Sequence, residues 1–173
     1  MTLISYEGVS QLQIAILTAS DKGSRGERED LSAAAIKEIV ADIGAEVVAY
    51  DVVPDEKEIL MAKLIAYADE LQVDLVLTTG GTGLGPRDVT PDATLAVVSR
   101  IIPGIPEAMR AAGLEHTPHA MLSRAVAGSR GRTLIINLPG SPRAVKENLA
   151  VILTVLPHAI GILQGSAGEC ARP

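Results

Sequence analysis

The feature that most restricts this chain is an alternation along its length. Short apolar runs rich in β-branched residues end at polar, glycine- or proline-bearing loops, and helical stripes fill the intervals. The runs are Leu12–Ala19 (LQIAILTA), Ala45–Val53 (AEVVAYDVV), Val73–Thr78 (VDLVLT) and Arg132–Leu138 (RTLIINL). The central ones are apolar at consecutive positions, so both of their faces are covered, which is the mark of parallel strands buried between helices. The intervals carry the expected helices. Leu31 to Ile43 has a helical apolar stripe and stops at Gly44. Pro54-Asp55 introduces a second helix, with Asp55 as a candidate N-cap and Glu58 three residues on. Thr90-Pro91 opens a third through an N-cap threonine and a proline at the first helical position, Pro103 to Gly113 reads as a short one, and Ser141-Pro142 repeats the device before a long helix to about Leu163. The fold class is therefore α/β, a parallel sheet with helices on both faces.

At 173 residues the chain fits one domain, placed at 11–165, with terminal tails at 1–10 and 166–173. A composition of 47% hydrophobic and 21% charged residues excludes a disordered or collagen-like chain. No run of eighteen uninterrupted apolar residues occurs and Met1 to Gln13 lacks a secretory pattern, so the expectation is a cytoplasmic protein with no membrane partner. Cys170 stands alone in what reads as a loose tail, which rules out an intrachain disulfide and a cysteine-based metal site. A net charge of -6, three tyrosines and no Trp or Phe argue against a nucleic-acid partner. An acidic chain can still bind an anion locally, through backbone N–H groups and a metal.

In such folds ligands collect beyond the carboxyl ends of the strands. Four loops meet there: Ser20-Asp21, Pro54-Asp55, Gly80-Gly81-Thr82-Gly83 and Pro139-Gly140-Ser141-Pro142. The third lacks the Lys-Ser/Thr of a Walker A loop, having Pro86-Arg87 instead, and lacks the glycine spacing of a dinucleotide fingerprint. Alone it fits a tight turn as well as a phosphate cradle. Asp88 beyond it adds information, because a carboxylate beside bound phosphate calls for a cation between them. Mg²⁺ takes one or two carboxylates plus substrate phosphates, with Asp55 as the second. The competing reading makes Asp55 a cap and Asp88 a turn residue. Ser20 and Asp21 either line the rim or start the polar stretch Ser20–Asp30, a mobile surface loop by composition. His116 and His119 are three apart but lack a third ligand, and Arg124, Arg130, Arg132 and Arg143 read as surface charges or anion contacts.

These residues carry a resemblance. LTTGGTGLGPRDVTPDAT (Leu77 to Thr94), VVPDE (Val52 to Glu56) and INLPGSPRAV (Ile136 to Val145), with LTASDKGSRGERED and TPHAMLSRAVAGSRGRTL, are similar to the MogA/MoaB family of molybdenum-cofactor biosynthesis proteins, including the G domain of gephyrin. The resemblance spans about Gln11 to Gly165. It implies a three-layer α/β/α sandwich, commonly a homotrimer, and the activity of a molybdopterin adenylyltransferase: Mg²⁺-dependent transfer of AMP from ATP to the terminal phosphate of molybdopterin, with release of pyrophosphate. A downstream molybdenum-insertion protein is an implied partner. The family's catalytic, metal-binding carboxylates fall on Asp55 and Asp88. Its nucleotide-binding segments fall on Gly80, Gly81, Thr82 and Gly83 and on Pro139, Gly140 and Ser141. The pterin side falls on Ser123, with Ser20 and Asp21 as candidate rim residues. The polar stretch is then a candidate lid, with Lys22, Arg25 or Arg28 reaching the dianionic groups. The MoaB branch supplies the alternative, a catalytically silent pterin-binding carrier.

Overall fold

The computed structural model describes residues 11–166, so the tail assignments at 1–10 and 167–173, Cys170 among them, lie outside the described residues. In chain order the elements begin with β1 (Gln13–Ala19), α1 (Asp21–Ser24), α2 (Leu31–Val40) with a 3₁₀ turn at Ala41–Ile43, β2 (Glu46–Val53) and α3 (Lys57–Ile65), which widens into a π turn at Ala66–Glu70. They continue with β3 (Leu75–Thr79), α4 (Thr90–Val97), β4 (Arg100–Ile101), α5 (Gly104–Leu114), a 3₁₀ turn at Pro118–Leu122, β5 (Ala127–Arg130) and β6 (Thr133–Leu138). α6 (Pro142–Ile152) passes through a 3₁₀ turn at Leu153–Val155 into α7 (Leu156–Gln164).

The sheet order is β2-β1-β3-β6-β5-β4. The β1–β2, β1–β3 and β3–β6 pairs are parallel, and β5 and β4 add an antiparallel edge. Period-two alternation of the strand side chains divides the core into two layers. Ile14 and Ile16 of β1, Leu75 and Leu77 of β3, and Leu134, Ile136 and Leu138 of β6 face α2, α5, α6 and α7. Ala15, Leu17, Val76 and Ile135 point the other way, onto α3 and α4. The three-layer arrangement follows from covering both faces of these strands.

Several local readings change. The sequence-derived strand set omits β4 and β5, because AGSR and RI are too short and too small to show a pattern. Gly128 explains the small residues, since a Cβ there would lie 2.6 Å from the Arg100 carbonyl oxygen of the neighbouring strand. Two of the three proposed N-caps, Asp55 and Thr90, do not cap. α3 begins at Lys57, with Glu56 before it making no capping hydrogen bond, and Thr90 is the first residue of α4, preceded by Val89. Gly44, at φ 69°, and Ser141, which accepts from the Ala144 N–H at 3.2 Å, end and start their helices as expected.

The Ser20–Asp30 stretch is not a featureless loop. Ser20 caps α1 by accepting from the Gly23 N–H. Asp30 caps α2 through the Ala33 N–H at 2.9 Å, and also accepts from the Tyr50 hydroxyl at 2.8 Å. The Lys37 ammonium lies 4.1 Å from the centre of the Tyr50 ring, a cation–π contact on the same edge. Pro142–Gln164 is one helix long and apolar enough by length and composition to cross a membrane. Here its Val145, Leu149, Ile152, Leu156 and Ile160 are buried in the core.

One buried polar cluster ties β3, β6, α4 and the residue preceding β5 together. The Asn137 amide donates to Thr78 Oγ1 (3.0 Å) and Thr94 Oγ1 (2.8 Å), and its oxygen accepts from the Val126 N–H at 3.1 Å. Asn137→Ala strands these partners away from water. It is expected to cost about 2–3 kcal/mol in urea unfolding, well above a surface Asn→Ala.

Candidate functional site

The cleft of about 310 Å³ lies where the strand-end loops meet, and its wall takes residues from all four. The loops touch through backbone and small side chains. A Cβ on Gly80, at φ 91°, would stand 2.3 Å from the Ala19 carbonyl oxygen, and a Cβ on Gly140 would stand 3.3 Å from the Gly80 Cα. Thr79 Oγ1 donates to the Pro139 carbonyl at 2.7 Å, and Ser32 Oγ to that of Gly140 at 3.0 Å. Only residues without side chains permit this approach, which leaves the Gly80-Gly81 backbone at the cleft wall.

Both predicted carboxylates line the cleft. Asp55 exchanges hydrogen bonds with Asp21: its Oδ2 accepts from the Asp21 N–H at 2.9 Å, and its own N–H donates to Asp21 Oδ1 at 3.1 Å. Among the described residues no hydrogen bond reaches its Oδ1, which faces Gly81. Burial pushes the Asp55 carboxyl above the ordinary carboxylate range, with the like charges of Asp21 and Asp88 acting in the same direction. Asp88 folds back over its loop, accepting from the Gly85 N–H at 2.7 Å through Oδ2. Arg87 spans the loops, with two N–H groups on Asp21 and a third on Glu56 at 2.8 Å. These contacts hold the Asp21 carboxyl below its usual range and raise Arg87.

The remaining sequence candidates divide. Ser20, Gly80, Gly81 and Gly140 line the cleft. Thr82, Gly83, Pro139, Ser141, Asp21 and Ser123 are not among the residues that line it. Ser141 caps α6, Pro139 receives Thr79, and Ser123 Oγ accepts from the Ala125 N–H. Arg124 holds the backbone of Thr82 and Gly83. The Arg124 N–H donates to the Thr82 carbonyl at 2.9 Å, its Nε to that of Gly83 at 2.8 Å, and its guanidinium to the Asp88 carbonyl and the Asp92 carboxylate. Sequence reasoning gave Arg124 no more weight than any surface cation; the signal available was its place beside Ser123 in LSR. Arg130 and Arg143 pair instead with Asp69 and Glu147. Thr18, on the cleft wall, and Thr90, beneath Gly81, were also missed, and each buries a hydroxyl without a partner among the described residues.

The donor set suits Mg²⁺. No group of three or more His, Cys, Asp or Glu residues that could cage a metal occurs among the described residues. Two carboxylates line one cleft, each with an Oδ1 that no hydrogen bond reaches among the described residues, and such oxygens are the donors Mg²⁺ takes alongside phosphate and water.

Residues 15–158 match the family model described as "Probable molybdopterin binding domain". The chain belongs to the molybdopterin-binding domain family. The chain is 41% identical over 157 residues to a molybdopterin adenylyltransferase of Helicobacter pylori, covering 90% of this chain and 89% of that protein. It is 38% identical over 177 residues to the molybdopterin adenylyltransferase of Escherichia coli, covering 94% and 91%. Among solved structures it is similar to the molybdopterin biosynthesis enzyme MoaB of Thermus thermophilus, at 51% identity and a TM-score of 0.85 over 92% of this chain and 100% of that one.

Proposed function

We propose that this protein is a molybdopterin adenylyltransferase, transferring AMP from ATP to the terminal phosphate of molybdopterin and releasing pyrophosphate. The observation that carries the reading is one cleft holding both the glycine-backed wall at Gly80-Gly81 and the carboxylates of Asp55 and Asp88. The relatives named above support the substrate pair.

The chemistry needs no protein nucleophile, because the attacking phosphate is already ionised. One of its oxygens forms a bond to the α-phosphorus of ATP as the α–β bridging bond breaks, and pyrophosphate leaves with the electron pair. The protein's task is to hold two anions in line. The Gly80-Gly81 backbone takes the phosphate groups, and Asp55 and Asp88 hold Mg²⁺. That ion would supply charge neutralisation for the two anionic substrates. Asp21 and Arg87 fix Asp55, and Arg124 fixes the backbone that carries Asp88. Assembly as a homotrimer, a cytoplasmic location and transfer of product to a downstream molybdenum-insertion protein belong to the same reading.

The likeness to MoaB favours one other reading, a carrier that binds the pterin without turnover. ATP labelled at the α-phosphate separates the two. A transferase moves the label onto molybdopterin as an AMP adduct seen by mass spectrometry, whereas a carrier leaves all of it in ATP.

A further inference from the structure

The cleft takes more negative than positive side chains from the protein, which is the wrong balance for binding phosphates. Glu29, Asp30, Asp55 and Asp88 line it, against Arg28 and Arg87. Arg87 is committed, with Asp21 and Glu56 occupying Nε, Nη1 and Nη2. Three residues before Arg28, Arg25 is also committed, gripping Glu27 through Nε at 2.8 Å and Nη2 at 3.0 Å, and it lies off the cleft wall. Arg28 is different. Among the described residues it is the one cleft-lining cation with neither a hydrogen bond nor an ion pair.

Its backbone is nevertheless held on both sides. On one side the Glu27 N–H donates to the Lys22 carbonyl and the Gly26 N–H to that of Gly23, both at 2.9 Å, with Gly26 taking the left-handed turn at φ 73°. On the other, Asp30 is fixed by the Ala33 N–H and the Tyr50 hydroxyl. A pinned backbone carrying an uncommitted guanidinium at a cleft is an arm that loses little backbone entropy on binding. A guanidinium presents paired N–H donors that match two oxygens of one phosphate.

We infer that Arg28 binds a phosphate group of the cleft ligand and sets its affinity, Arg25 having no such role. The inference rests on the proposed function for the identity of the ligands, where the phosphate comes either from the triphosphate of ATP or from the terminal phosphate of molybdopterin.

The test is calorimetric titration of the full chain, in Mg²⁺ buffer, with ATP and separately with molybdopterin. Wild type, Arg28→Ala, Arg28→Lys and Arg25→Ala are compared, with Tm measured for each. Arg28→Ala weakens one of the two ligands about tenfold or more, as loss of a charge-assisted pair predicts. Arg28→Lys recovers part of the loss, and Tm and the Arg25→Ala affinities stay at wild-type values. Weakened ATP assigns the triphosphate; weakened molybdopterin assigns the pterin phosphate. Arg28→Ala affinities within twofold of wild type for both ligands overturn the inference, as does equal weakening in Arg25→Ala. A wild type that binds ligand yet releases no pyrophosphate removes the transferase function while leaving the role of Arg28 to be read from the affinities.

Discussion

Gly80→Ala is expected to destabilise the protein by about 3 kcal/mol or more, lowering Tm by roughly 10 °C. Two separate costs add at this position. The backbone has φ 91°, where an L side chain is strained, and the new methyl would meet the Ala19 carbonyl oxygen at 2.3 Å. That oxygen belongs to the end of the neighbouring parallel strand, so relief requires moving β1 away from β3 at the cleft itself. Gly26→Ala provides the comparison. Its φ is 73°, but nothing lies within 4 Å of a Cβ there. It should cost only the conformational strain, about 1 kcal/mol. Thermal unfolding of the two variants checks this, and a Gly80→Ala protein as stable as Gly26→Ala would contradict the close approach of the two strand ends.

Asp55→Asn is expected to lower turnover about a thousandfold or more while leaving Tm at or above the wild-type value. The asparagine can still accept from the Asp21 N–H with its amide oxygen, so the loop keeps its anchor. What it loses is charge. In the ligand-free protein that charge is a burden: burial above all, with the negative charges of Asp21 and Asp88, raises the Asp55 pKa and outweighs the opposing Asp21 N–H bond and Arg87, so the fold favours its neutral form. A carboxyl raised in the folded state favours folding while protonated, and that contribution is lost as pH rises through its folded pKa. At neutral pH the ionised Asp55 therefore subtracts stability, and the neutral amide removes the penalty. Loss of activity together with gain of stability identifies a residue kept for chemistry. Loss of both would make Asp55 a structural anchor.

The contrast between these two positions shows what was legible beforehand. Consecutive apolar residues in QIAILTA, LVLTT and TLIINL announced strands covered on both faces, and the parallel center of the sheet followed. The rim loops were legible because glycine, proline and aspartate cluster at strand ends, where they have no packing use. Short elements were not. β5 and β4 exist through pairing with β6 and with each other, a tertiary cause that AGSR and RI do not advertise. The polar stretch after β1 looked loose by composition, yet hydrogen bonds from Ser20, Asp30 and Tyr50 fold it against the site. Asp55 shows how a local pattern misleads. Pro-Asp before a helix suggests a cap, but a partner 34 residues away, Asp21, claims the side chain. Likewise the GGTG motif suggests four equivalent positions. Of the four, Gly80 and Gly81 line the cleft, while Arg124 holds the carbonyls of Thr82 and Gly83.

The central claim is that this cleft joins the two substrates through chemistry that needs its carboxylates. Pyrophosphate release from ATP in Mg²⁺ buffer tests it most directly, measured with and without molybdopterin in wild type and in Asp88→Asn, which keeps an acceptor for the Gly85 N–H. Release that requires both molybdopterin and Asp88 is the predicted result. Molybdopterin binding without release in the folded wild type, or undiminished release from folded Asp88→Asn, would contradict the account.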